Sequence, residues 1–372
     1  PGQVHKHLEI RLMSVPRETK GQTAYPPGVP VNLDDALVLR AVRTSEDVER
    51  VASLNAFVYQ DSAVGELTRW RLSGRHPTVT LPDFLLVEDT NKGEFVSTLG
   101  LVPKTWTYDG IPLQVGQVES VSTHPDYRGR GLITAQMNVI ERMLDARGCT
   151  LSCIEGIPYF YRQFGYEYAI PVGSCANLTL DHIPALAEGQ QEPLTIRRID
   201  VAQDLPIVMA LYNAHTAELC IAPVRDEALW RYQQSTPPGT PEPSETYVIE
   251  HDGGIIGYFR VRKSMWGPLL EFSEATIGPE GQAWGSRHAW MAVLRFAREL
   301  AARREFPRVC FGLPKTHPLV NVAHNLGAES ERQYASQIRV TDHAHFLRRI
   351  APALERRLAH SLLAGYSGTL DI

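Results

Sequence analysis

The run Val118-Glu119-Ser120-Val121-Ser122-Thr123-His124-Pro125-Asp126-Tyr127 leads straight into Arg128-Gly129-Arg130-Gly131-Leu132. It reads as a strand that ends in a glycine-relieved turn and opens directly into a helix. A junction of this kind binds phosphate: the first N–H groups of a helix lack internal partners and carry the positive end of its dipole, and glycines let a pyrophosphate approach the main chain. No Lys-Ser/Thr pair follows, which excludes a P-loop. The three glycines of a dinucleotide fingerprint are missing too, as is a ribose-binding acid on a second parallel strand about 20 residues on. An Arg-Gly-Arg-Gly stretch is also compatible with an ordinary solvated turn, so its surroundings decide. Leu132, Ile133, Ala135, Met137, Val139, Ile140, Met143 and Leu144 form the apolar face of one long helix that closes near Arg147-Gly148. A new apolar run, Thr150 to Ile154, follows, and then Tyr159-Phe160-Tyr161-Arg162-Gln163-Phe164-Gly165-Tyr166.

These residues resemble the GNAT acyltransferases, which use acyl-coenzyme A. His124 to Leu132 looks like their pyrophosphate motif and Phe160 to Tyr166 like their later F-Y-x-x-x-G-F motif, in the right order and joined by the right helix. The small residue often found two places after the last glycine is Ile133 here. The resemblance narrows to the enhanced intracellular survival (Eis) type. It implies an α/β (α+β) fold of two tandem GNAT-like domains, with mixed central sheets flanked by helices, followed by a sterol-carrier-like segment. It also implies acetyl-CoA as co-substrate, bound by Val121, Ser122, Thr123, Arg128, Gly129, Arg130, Gly131 and Leu132. Glu119 matches the strand position where many relatives carry a glutamate that removes the amine proton. Tyr161 matches the tyrosine placed near the coenzyme sulfur, where a phenol of pKa about 10 suits protonating a departing thiolate. Eis-type relatives also use a terminal carboxylate as a base, and Ile372 ends the chain too early for that.

The elements that must hold these residues are legible around them. Leu37 to Arg40 and the cap at Thr44 announce a strand and a helix. Phe84–Asp89, Phe95–Val102 and Ile111–Leu113 lead into the motif strand. The order repeats from Ile196, through Asp204, a hairpin at Tyr247–Val261, a strand at Leu269–Phe272 and a helix from about Arg287 to Arg304. Ile277 to Gln282, where the second phosphate turn belongs, carries no basic residue, so this half reads as a non-catalytic copy. The expected organisation is a flexible leader over 1–32, a catalytic domain over 33–185, a degenerate one over 186–340, and over 341–372 a basic amphipathic helix docked on the protein and the start of an apparently incomplete domain.

Composition sets the outer limits. With 372 residues and 43% hydrophobic content the chain can bury two cores. A formal charge of −5 argues against a general nucleic-acid binder, and no apolar run is long enough to span a membrane. Five cysteines without metal spacing suit a reducing cytoplasm, and no histidine cluster suggests a metal. The expected activity is acetyl transfer to a primary amine, an aminoglycoside-like small molecule or a lysine, with Glu66, Asp61 or Glu155 as pocket carboxylates. A homo-oligomer is expected from the relatives. The alternative function is a catalytically silent acyl-CoA-binding sensor or scaffold.

Overall fold

The computed structural model describes residues 9–11, 28–173, 176–237, 240, 242, 245–264, 267–330, 334–366 and 369–371. Most of the expected leader, Cys175, and Ser367, Gly368 and Ile372 of the expected C-terminal segment lie outside them. The chain runs through Glu9–Arg11 (β1), Val31–Asn32 (β2), Leu37–Ala41 (β3), Ser45–Tyr59 (α1), Ser62–Arg71 (α2), Phe84–Asp89 (β4), Glu94–Tyr108 (β5) and Ile111–Thr123 (β6). Leu132–Ala146 (α3), Leu151–Ile154 (β7), a 3-10 turn at Phe160–Phe164, Glu167–Pro171 (β8) and Ala176–Thr179 (β9) follow. The second half holds Thr195–Arg198 (β10), Leu205–Thr216 (α4), Ile221–Pro223 (β11), Glu227–Gln234 (α5), Glu245–His251 (β12), Gly254–Lys263 (β13) and Leu269–Ile277 (β14). Pro279–Arg303 (α6), Arg308–Phe311 (β15), Pro318–Asn325 (α7), Glu329–Ser330 (β16), Ala335–Val340 (β17), His343–Ala359 (α8) and Thr369–Asp371 (β18) complete it. β1 pairs in parallel with β18.

Two mixed sheets flanked by helices result. The first has the order β2-β3-β4-β5-β6-β7-β17-β8, with β11 added to β5; the second runs β10-β12-β13-β14-β15-β9-β16. β4 shows why the first sheet is covered on both faces. Leu85 and Val87 pack with Met137, Ile140 and Leu144 of α3, while Phe84 and Leu86 pack with Val48, Val51 and Leu54 of α1. Such alternation on a strand buried on both sides yields a continuous apolar run. α1 starts in a capping box between Thr44 and Asp47. α8 lays Phe346, Leu347, Ile350 and Leu354 over Leu113, Val115, Leu151 and Cys153. Full burial of one such side chain is worth about 1.5–3 kcal/mol, enough to hold the helix on the sheet.

The halves are structural repeats. Arg40 forks onto Asp47 (2.8 and 2.9 Å) and reaches Glu88 (3.1 Å); Arg197 forks onto Asp204 (2.6 and 3.0 Å) and reaches Glu250 (2.7 Å). The same triad ties the first strand, first helix and next strand in each half. The halves also exchange strands: β17, at the end of the second, lies between β7 and β8 of the first, and β9, at the end of the first, lies between β15 and β16. The residue boundary at 185/186 therefore separates stretches of chain while each sheet takes a strand from the other side of it. The helix expected from about Arg287 begins eight residues earlier, at Pro279, and its backbone breaks at Gly285 (φ 117°).

Candidate active site

β6 and β7 run side by side only from Val115/Leu151 to Val118/Ile154. Beyond that pair they part. β6 continues through Glu119 and an irregularity opposite Thr98 and Gly100, where Ser120 takes φ 55°, to Thr123. A bulge of this kind twists the strand away from its neighbour, so residues 119–123 border a wedge-shaped opening. The Tyr59 hydroxyl, at the end of α1, donates to the Val121 carbonyl (3.3 Å), which shows that Val121 turns its main-chain groups away from β5. Ser97 Oγ lies 3.0 Å from the Ser122 carbonyl, 2.9 Å from Thr123 Oγ1 and 2.8 Å from Gln136 Oε1, and so clamps the end of β6 to β5 and α3.

The turn that follows has the conformation its glycines suggested. Gly129 (φ 77°) and Gly131 (φ 74°) are left-handed, and Gly131 is the N-cap of α3 without a side-chain cap. The first main-chain N–H groups of α3, from Leu132 on, are the orphan donors of a helix start. A Cβ at Gly129 or Gly131 would meet nothing within 4 Å, so these glycines are required by backbone conformation, and the space beside them is open. Arg128 to Gly131 are exposed, the Arg130 guanidinium sits 5.2 Å from the centre of the Tyr127 ring, and the Tyr127 hydroxyl donates to Asp89 (2.6 Å). The corresponding turn of the second half is filled by protein: a Cβ at Gly278 would overlap Leu211 and one at Gly281 would overlap Ile277.

Tyr161 lies on the other bank of the wedge, 3% exposed. Its ring fills the place a Cβ at Gly156 would need, two residues past the last β6–β7 pair. Among the described residues no hydrogen bond engages its hydroxyl, and burial, reinforced by the nearby phenols of Tyr59, Tyr166 and Tyr334, pushes its pKa well above that of an ordinary tyrosine. It stays protonated throughout the neutral range. Tyr166 instead shares a hydrogen bond with Ser152 (2.7 Å), and Tyr159 is exposed. Tyr334, from the segment before β17, hydrogen-bonds the Gly156 main chain, so the strand exchange buttresses this bank.

Glu119 faces a cavity of about 360 Å³ lined by both halves of the chain. Arg71, at the end of α2, pairs with Glu119 and with Glu242. Burial raises the Glu242 pKa, but Arg71 and Lys104 outweigh it and hold the carboxyl below the usual range. Lys104 hydrogen-bonds Gln117, and burial lowers its pKa. Glu119 and Tyr161 have no contact with each other; each stands immediately past the point where β6 and β7 separate. Of the carboxylates expected to serve an acceptor, none is in the cavity lining, and Glu155 is the one whose charge reaches it, acting on Lys104. Asp61 caps α2, Glu66 pairs with Arg69 on the surface, and Glu155 accepts from Ser336. Tyr59, Arg71 and Glu242 carry no local pattern that marks them for the site. Among the described residues no group of three or more His, Cys, Asp or Glu could hold a metal ion, and no helix is long and apolar enough to cross a membrane.

Residues 40–169 match the family described as an acetyltransferase (GNAT) domain. Saccharomyces cerevisiae N-myristoyltransferase, solved with myristoyl-CoA, superimposes with a TM-score of 0.62 at 12% identity, over 86% of this chain and 83% of that one. An Enterococcus faecalis protein described as a probable N-acyltransferase gives 0.60 at 16% identity (84% and 75% covered). A GCN5-related N-acetyltransferase from Anabaena variabilis gives 0.58 at 16% (82% and 73%). At such identities the likeness is one of fold. Residues 40–169 are therefore similar to a GNAT acetyltransferase domain, and the two-sheet fold around them is shared with N-acyltransferases.

Proposed function

We propose that the protein transfers an acyl group, acetyl above all, from acyl-CoA to a primary amine in a direct-attack ternary complex. The observation that carries this reading is the path of β6. One strand presents Glu119 to the cavity, bulges at Ser120 beside an unpaired edge, and ends at an open, positively polarised helix start. At about 3.3 Å per residue, Glu119 and Thr123 are ~13 Å apart, a span for the extended arm of a coenzyme whose pyrophosphate rests on the N–H groups at Gly131 and Leu132.

In this reading the amine enters from the cavity and gives up its proton to Glu119, directly or through water. Its nitrogen attacks the thioester carbonyl, and main-chain N–H donors on the edge of β6 at Val121 and Thr123 receive the developing oxyanion. The C–N bond forms, the C–S bond breaks, and Tyr161 protonates the leaving sulfur before regaining its proton from solvent. The Arg71 pair holds the Glu119 carboxylate in place at the cavity wall.

Release of free coenzyme A thiol with a panel of primary amines tests the reading, with acetyl-CoA binding followed by calorimetry. Acetyl-CoA binding with amine-dependent thiol release is the expected result. Tight binding without turnover on any amine would make the protein a silent acyl-CoA binder and overturn the transfer.

A further inference from the structure

We propose, on the basis of that acyl-transfer reading, that the cavity selects an acceptor whose amine is accompanied by a carboxylate, an amino-acid-like zwitterion, with Arg225 as the carboxylate's anchor. The inference starts from how the charges around the cavity are spent. Arg71 uses its two ends on Glu119 and Glu242. Glu274 is shared: one oxygen takes Arg225 Nη2 and lies 4.0 Å from Arg260, and the other accepts the Tyr258 hydroxyl. Asp226 stands exposed at the rim, its oxygen accepting the Leu229 N–H at 2.8 Å as the cap of α5.

That leaves Arg71, Lys104, Arg225 and Arg260 inside, against Glu119, Glu242 and Glu274, a surplus of one positive charge when Lys104 is protonated. Arg225 is where this surplus is available. Its side chain is 10% exposed, its guanidinium lies 4.0 Å from the Tyr212 ring centre and 4.4 Å from that of Trp230, and its Nη1 is buried with no partner among the described residues. A buried guanidinium N–H without an acceptor is costly, and a carboxylate is the acceptor that matches its geometry and charge. His76 adds no charge: its Nδ1 accepts the Thr78 and Val79 N–H groups (3.1 Å each), so the neutral ring carries its proton on Nε2.

A polycationic acceptor meets the opposite situation. Each added ammonium deepens the positive surplus, and Glu119 is the one lining carboxylate the transfer reading sets aside for an amine. The volume, near the lower end of the ~300–1,000 Å³ typical of small-molecule sites, also favours a compact acceptor.

The experiment compares free α-amino acids with their own carboxamides, alongside spermidine and kanamycin, using thiol release from acetyl-CoA and calorimetric binding to the coenzyme-A-loaded protein. The expected result is at least tenfold better turnover or binding for acids than for amides, a ratio that collapses toward one in Arg225→Gln through a raised KM for acids. The wild-type acid-to-amide ratio needs no variant, so a misfolded Arg225→Gln does not blunt the test. Equal acid and amide, a preference for the polycations, or no binding of any acid overturns the inference. Carboxylate-dependent binding without thiol release supports the cavity assignment and overturns the transferase reading alone.

Discussion

Tyr161→Phe removes one oxygen and little else. Because no hydrogen bond among the described residues engages the hydroxyl, no partner is left stranded, and the ring that packs against Gly156 and Tyr166 remains. The stability change should stay below about 1 kcal/mol, whereas truncation to Ala would empty a ring-sized volume and cost about 3–5 kcal/mol. If the hydroxyl protonates the leaving thiolate, its loss removes a general acid, worth about 10²-fold or more in turnover, or about 2.7 kcal/mol of barrier. Burial keeps the phenol fully protonated at neutral pH but makes it a weaker acid than an ordinary tyrosine, so its proton moves only as negative charge builds on sulfur. The assay is kcat by thiol release at saturating amine, with acetyl-CoA affinity by calorimetry and the melting temperature alongside. The expected pattern is a large fall in kcat with affinity and melting nearly unchanged. Near-normal turnover would refute the acid role, and joint loss of stability and coenzyme binding would make Tyr161 a packing residue.

Gly131→Ala should weaken acetyl-CoA binding through backbone strain, since a left-handed φ of 74° costs a residue with a Cβ about 1–2 kcal/mol. Calorimetry should read roughly tenfold, and unchanged affinity with the fold intact would remove the phosphate assignment. Glu119→Gln should lower turnover with a defect that shrinks as pH rises and the amine loses its proton unaided; a pH-independent defect would mean that Glu119 positions the acceptor. His76 is depressed to about 4 by burial, with the Arg71 charge adding to it. Its folded pKa lies below the unfolded 6.5, so the unfolded chain binds more protons between these values, and the stability due to the neutral ring is present above pH ~6.5 and lost as pH falls toward 4. Melting should therefore drop less between pH 7 and 4.5 in His76→Gln than in the parent, and identical drops would contradict this.

Local features of the site were readable because their causes are local. The left-handed turn at Gly129 and Gly131 follows from which residue tolerates positive φ, and α3 from the spacing of Leu132, Met137, Ile140 and Leu144. The α8 helix, with Asp342 as its cap, follows the same logic. The start of α6 was misplaced because Gly281 and Gly285 weaken the helical pattern, while Pro279 at its first turn and packing against Ile277 carry the helix across them.

What the sequence by itself determined is thus the order of elements in each repeat and the left-handed glycine turn that opens α3. Tertiary structure decided the rest. Ile154 pairs with Gln337 and Ala176 with Phe311 across stretches of chain far longer than any periodicity, and short apolar runs such as β9 and β17 fit either sheet equally well. Those pairings brought Tyr334 to Gly156 and set one half against the other, so that Glu242, Arg225 and Glu274 face Glu119 and Arg71 around one cavity. A charge acquires its role from the charges it is buried with, and that company forms only when the two halves close on each other.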